Sequence, residues 1–142
     1  MKYAAFICKA CGDELTDFLH RLDEAELKFE RRESAVPAGG YFEITQPWTY
    51  QDFITDGGLR GHYISSDGDL IVIEPGDFLL NVADVQHRIA EGAVHGCCGW
   101  QPRNEPNATC ANGHHVGTLH SDDCWSAIVF RVIGNKVDKL LL

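Results

Sequence analysis

A chain of 142 residues, 44% apolar and 23% charged, has the size and balance of one soluble domain with a sizeable core, so residues 1–142 are read as a single domain. A formal charge of −9, from 21 acidic against 12 basic side chains, argues against nucleic-acid binding, which needs a cationic face to displace counterions from phosphates. No apolar run approaches a membrane span, and Tyr3–Ile7, ended by Lys9, is too short for a signal-peptide core. A cytoplasmic setting follows as the expectation. There, the six cysteines more often bind metal or react than form disulfides, and the glycosylation pattern Asn107-Ala108-Thr109 carries no meaning.

Tyr3-Ala-Ala-Phe-Ile7 reads as a short buried strand leading into Cys8-Lys-Ala-Cys11-Gly12. A Cys-x2-Cys-Gly turn suits tetrahedral metal binding, because it aims two sulfurs inward while glycine relieves the backbone where it turns back. The rival is a thioredoxin-type redox pair, which normally opens a helix inside a βαβ unit; only one short strand precedes Cys8, so the metal knuckle is preferred. Leu15, Phe18, Leu19 and Leu22 have the spacing of one helical face and predict a short helix or bent strand that adds to the core. His20 on that stretch is given no ligand role. Residues 27–33 read as charged and solvated.

Ala38-Gly39-Gly40 marks a turn into a strand over Tyr41–Ile44. Residues 46–68, broken by glycines and carrying Trp48, Tyr50, Phe53 and Tyr63, read as a packed loop in which aromatic core is preferred to an aromatic ligand pocket. Leu70–Ile73 and Phe78–Val82 flank Pro75-Gly76 as a strand, turn, strand unit.

Four of the six cysteines fall between Gly96 and Trp125. The stretch contains Gly-Cys97-Cys98-Gly, then Cys110-Ala-Asn-Gly-His114-His115-Val-Gly-Thr, then Asp-Asp-Cys124-Trp. Asn112-Gly113 is a strong hairpin signal, since a type I′ turn needs positive φ at both positions. Cys110 precedes it, where a knuckle cysteine belongs. Ala127–Ile133 reads as a closing strand, and the chain from Gly134 onward as a tail or a final helical turn.

In combination, these cysteine motifs resemble a family of uncharacterised bacterial proteins with Cys-x2-Cys-Gly, Gly-Cys-Cys-Gly, Cys-x-Asn-Gly-His-x-Val-Gly-Thr and Asp-Cys-Trp segments. The resemblance spans nearly the whole chain and implies a grouping rather than an activity. His115-Val-Gly117, and Cys124-Trp-Ser126 ahead of an apolar strand, also resemble segments of the methionine-R-sulfoxide reductases. These enzymes share with the thalidomide-binding domain of cereblon a β-tent fold whose zinc lies between two Cys-x2-Cys knuckles. That resemblance implies a mainly β, antiparallel, β-tent-like domain with zinc knuckles. It does not carry the reductase chemistry over: Thr118 stands where the second histidine is expected, Trp125 and Ser126 replace Ile-Asn, and Asn112 replaces a knuckle cysteine.

Two functions remain. The preferred one is a structural zinc site in a non-enzymatic module that binds a protein or small molecule. The alternative is a thiol oxidoreductase using Cys124 or the Cys97-Cys98 pair, activated by His114, His115 or His120. Asp122 and Asp123 before Cys124 disfavour its thiolate, and no His-Glu-x2-His or His-x-Glu motif supports a catalytic zinc. His20, His62 and His87 are isolated. For the metal, Cys8, Cys11 and Cys110 supply three ligands. The fourth is drawn from Cys97, Cys98, Cys124 and His114. Cys98 is chosen because it precedes Gly99 as Cys11 precedes Gly12, whereas His114 follows the Asn-Gly turn and is expected to face the other way.

Overall fold

The computed structural model describes residues 3–30, 32–49, 72–96, 99–100, 106–121 and 127–142. The chain is mainly β: β1 (Tyr3–Cys8), β2 (Leu19–Arg21), β3 (Gly40–Glu43), β4 (Trp48–Thr49), β5 (Val72–Ile73), β6 (Phe78–Leu80), β7 (Arg88–Ile89), β8 (Ala108–Thr109), β9 (His115–His120), β10 (Val129–Val132) and β11 (Val137–Leu141). Nine of these strands form one sheet in the order β11-β1-β2-β3-β6-β10-β9-β8-β7, and β4 pairs with β5 separately. Every pairing is antiparallel except β2 with β3, which is parallel. The helical pieces among the described residues are 3-10 turns of three residues, Glu24–Glu26, Val82–Asp84 and Gly134–Lys136.

Two-residue alternation explains how the central strands are buried on both faces. Phe78 and Leu80 of β6, with Phe130 and Val132 of β10, join Phe6, Tyr41, Val116 and Leu119 in the main core. Leu79 and Val129 point the other way, into a second cluster under Leu27, Val36 and Ile44. The main core also contains Ala4 and Cys8 from β1 and Ala108 and Cys110 from the β8–β9 region. Strands near opposite ends of the sheet order therefore share one interior, which requires the sheet to curl, as the right-handed twist of strands favours.

Several sequence expectations meet a different outcome. The helical spacing of Leu15, Phe18, Leu19 and Leu22 does not become a helix. Leu15 and Leu19 are buried, but Phe18 is 47% exposed, and β2 extends the backbone from Leu19. Without a cap and with acidic residues crowding its end, the segment gains more from pairing with β1 and β3. Pro75-Gly76 is a turn, with Gly76 at φ 93, but β5 and β6 do not pair with one another. Leu27 in the charged stretch is buried. From Gly134 the chain makes the expected helical turn, a 3-10 turn over Gly134–Lys136, but then continues as β11, paired with β1 along its length, and β10 lies inside the sheet between β6 and β9 rather than closing it. Asn107 of the glycosylation pattern is only 2% exposed. Its side chain donates to Leu119 O and accepts from Leu119 N, each at 2.7 Å. Tyr50, Phe53, His62 and Tyr63 lie outside the described residues.

Asp77 ties the turn before β6 to the turn before β11. Gly134 N donates to Asp77 Oδ1 at 2.9 Å, and Arg131 Nε lies 3.1 Å from Oδ2, with both side chains nearly buried. A Cβ at Gly134 would clash with Gly76 O, so the two turns touch backbone to backbone. Asp77→Ala removes the carboxylate from a largely desolvated ion pair, and a loss of about 3 kcal/mol is expected in denaturant unfolding. A loss within the few tenths typical of surface changes would show that Asp77 does not clamp these turns.

His120, at the end of β9, is 2% exposed, and burial lowers its pKa from 6.5 to about 3. The folded state thus holds it neutral while the unfolded chain protonates it below about 6.5. Its contribution is complete above pH 6.5 and is lost as pH falls toward 3, amounting to about 2 kcal/mol by pH 5. His120→Gln should flatten the stability profile between pH 7 and pH 5, and equal slopes in the two proteins would refute this account.

Candidate metal centre

The first half of the site forms where β1 runs out. Gly12 N donates to Cys8 O at 2.7 Å, Cys8 N donates to Asp13 O at 2.8 Å, and Gly12 takes φ 78. Only glycine adopts that conformation without strain, so Gly12 lets the chain reverse directly after Cys11. The pair sits on a strand end followed by a turn, not at the start of a helix, which is the metal-knuckle placement rather than the thioredoxin one.

The second half is the hairpin between β8 and β9. Gly113 N donates to Cys110 O at 3.0 Å and Cys110 N donates to His114 O at 2.9 Å. Gly113 has φ 86, whereas Asn112 is not among the positive-φ residues. The turn is therefore not type I′: it is a three-residue loop closed by a left-handed glycine, the usual bulged hairpin. This corrects the orientation expected for His114. Residues that flank a three-residue loop are cross-strand partners and present their side chains on the same face, so Cys110 and His114 look the same way.

Cys8, Cys11, Cys110 and His114 bring one donor atom each to a cluster in which all four atoms lie within 4.8 Å of one another. Metal–sulfur bonds of about 2.3 Å and metal–nitrogen bonds of about 2.05 Å at tetrahedral angles give S···S edges of about 3.8 Å and S···N edges of about 3.6 Å. Cys11 Sγ lies 3.8 Å from Cys110 Sγ, and Cys110 Sγ lies 3.4 Å from His114 Nδ1. The chemistry of the donor set and its spacing fit a divalent metal ion with no open position.

The electrostatics favour a cation at the same point. Cys8 and Cys110 are buried while Cys11 and His114 are exposed. Burial pushes the Cys8 thiol up, so a thiolate there needs a positive charge beside it. Cys11 is held down, at about 6, first by the Asn112 side chain and then by the Asp13 backbone N–H. Asn112 Nδ2 donates to Cys11 Sγ at 3.3 Å, and Ala111 N donates to Asp13 Oδ2 at 3.0 Å. Asn112, standing where a second-knuckle cysteine was expected, thus orients Cys11 and would do so from outside the coordination shell of a bound metal.

Of the four ligands chosen from sequence, Cys8, Cys11 and Cys110 come together. Cys98 lies outside the described residues, as do Cys97 and Cys124. Gly99 packs against Ser121, with Trp100 N donating to Ser121 Oγ at 2.9 Å, at the end of β9 remote from His114. His114, expected from the sequence to face the other way, joins the cluster instead; its sequence signal is the Cys-x3-His spacing across a turn that ends in glycine. Two further histidines are engaged elsewhere: His20 packs edge-on against Tyr3, and His87 Nδ1 lies 2.9 Å from Val85 O. Among the described residues no helix is long and apolar enough to cross a membrane. No family model, curated protein or solved structure matches the chain.

Single changes separate the candidate ligands. Cys8→Ser, Cys11→Ser, Cys110→Ser and His114→Ala should each lower metal affinity by more than a hundredfold, and Asn112→Ala by about tenfold, read by competition with a chromophoric chelator. Cys98→Ser should retain the metal. Retention in His114→Ala with loss in Cys98→Ser would place Cys98 at the fourth position instead.

Proposed function

We propose that the protein is a zinc protein whose ion is held by Cys8, Cys11, Cys110 and His114 as a closed structural centre. The observation that carries this is the convergence of four soft and borderline donors within 4.8 Å from turns about a hundred residues apart in sequence. Zinc is preferred because three thiolates and one imidazole in tetrahedral spacing form one of its usual structural sets. Such a site contributes directly to folding, since the unfolded chain does not hold it preformed. With four protein ligands there is no position for an activated water, so the centre itself supplies no hydrolytic chemistry.

Around that centre we read a non-enzymatic, cytoplasmic binding module for a protein or small molecule, in a β-tent-like arrangement with its metal between two turns. The Cys-x2-Cys turn followed by Gly12, and the second turn that brings Cys110 and His114 to the same cluster in Cys-x3-His spacing, support the architectural part. The metal's closed coordination supports the non-enzymatic part.

Purified, untagged protein is expected to carry about one zinc per chain by elemental analysis, and cobalt substitution should give the absorption of a tetrahedral thiolate site. Removal of the ion by a strong chelator should lower the melting temperature by more than 10 °C, because structural zinc contributes on the order of 10 kcal/mol of apparent binding energy. Metal-free protein that melts unchanged would sink the proposal.

A further inference from the structure

Beside the metal cluster lies a cavity of about 450 Å³ with Cys8 and His114 in its wall and Lys9, His115, Asn135 and Lys136 around it. Its composition is unusual for this chain. With 21 acidic residues against 12 lysines and arginines, a random surface cavity should include a carboxylate, yet none lines this one. The acidic residues nearest in sequence stay off its wall: Asp138, two residues past Lys136 and paired in register with Ile7, does not line the cavity, and Asp13 directs Oδ2 to the Ala111 backbone N–H. The two lysines are brought together by the fold: Lys9 follows Cys8, Lys136 leads into β11, and Lys9 N donates to Lys136 O at 3.0 Å. Neither lysine is engaged in an ion pair with a described residue, whereas Lys139 pairs with Glu43 and Arg131 with Asp77.

We propose that this cavity binds a small oxyanion, the carboxylate or phosphate group of a ligand. The proposal rests on reading the protein as a binding module, and it names the chemistry of what is bound. Charge balance supports it. A divalent ion with three thiolates and a neutral imidazole would leave the centre at about −1, and two lysines outweigh it, so the residues that line the cavity would sum to a net positive charge in a strongly negative protein. The volume is that of a small-molecule site, and the Asn135 amide and the lysine ammonium groups offer donors to oxygen. Solvent-exposed lysine–anion pairs are individually weak, so affinity for a bare anion belongs in the millimolar range and rises with the rest of the ligand.

The competing role for the lysines is to shield the anionic centre alone. Metal-loaded, full-length protein is titrated with inorganic phosphate and, separately, with malonate, following backbone amide shifts of Lys9, His115 and Asn135 by NMR. Metal content is measured on the same samples. The expected result is saturable shifts in at least one arm, weakened at least tenfold in Lys9→Ala/Lys136→Ala and retained in Lys9→Arg/Lys136→Arg, with metal content unchanged in both. The arm that saturates at lower concentration identifies phosphate or carboxylate as the preferred group. No saturable shift, equal shifts in the alanine variant, or metal loss in that variant with anion binding intact would overturn the proposal. Metal retained without anion binding defeats this inference alone, and anion binding without metal defeats only the zinc reading.

Discussion

The structure depends on the meeting of two turns that the sheet order keeps apart. β1 stands second in the nine-stranded order and β9 seventh, yet Cys11 Sγ lies 3.8 Å from Cys110 Sγ. That contact exists only if the sheet curls until its ends share an interior, and the shared core of Phe6, Cys8, Val116, Cys110 and Phe130 is the apolar counterpart of the same closure. A bound metal would fix the closure across about a hundred residues of chain. Cross-links over loops of that length restrict the unfolded state by about 4–5 kcal/mol on the disulfide scale.

The short-range parts of this arrangement were legible in the sequence and the long-range parts were not. Tyr3–Ile7 as a strand, Gly12 as the residue that turns the first knuckle, and Cys8, Cys11 and Cys110 as candidate ligands, which the fold gathers into one cluster, all follow from local pattern and backbone chemistry. β11 was not legible: Val137-Asp-Lys-Leu-Leu141 has two charges amid its apolar residues, and it becomes a strand because β1 offers a free edge. Leu15 to Leu22 failed in the opposite sense, since spacing compatible with a helix is also compatible with separate apolar contacts from an extended chain. In both cases tertiary pairing overrode a weak local preference.

The fourth donor shows how much a single backbone angle controls. Had Asn112 and Gly113 both adopted positive φ, the loop would have been the two-residue type I′ turn. Asn112 keeps negative φ and Gly113 alone turns left-handed, which makes Cys110 and His114 partners instead and leaves the Asn112 amide free to reach Cys11 Sγ. One turn therefore supplies two metal-facing groups and the hydrogen bond that steadies a third.

The donors are also divided by depth. Cys8 and Cys110 are core residues, while Cys11 and His114 are exposed. Burial raises the Cys8 thiol's pKa and so opposes its ionisation without a cation. At the surface, Cys11 keeps its thiolate through Asn112 and the Asp13 backbone. The buried pair would join the hydrophobic interior to a bound ion, and the exposed pair faces water. An ion held there would meet water only on the Cys11–His114 side, because the other side is the core that the sheet curls around.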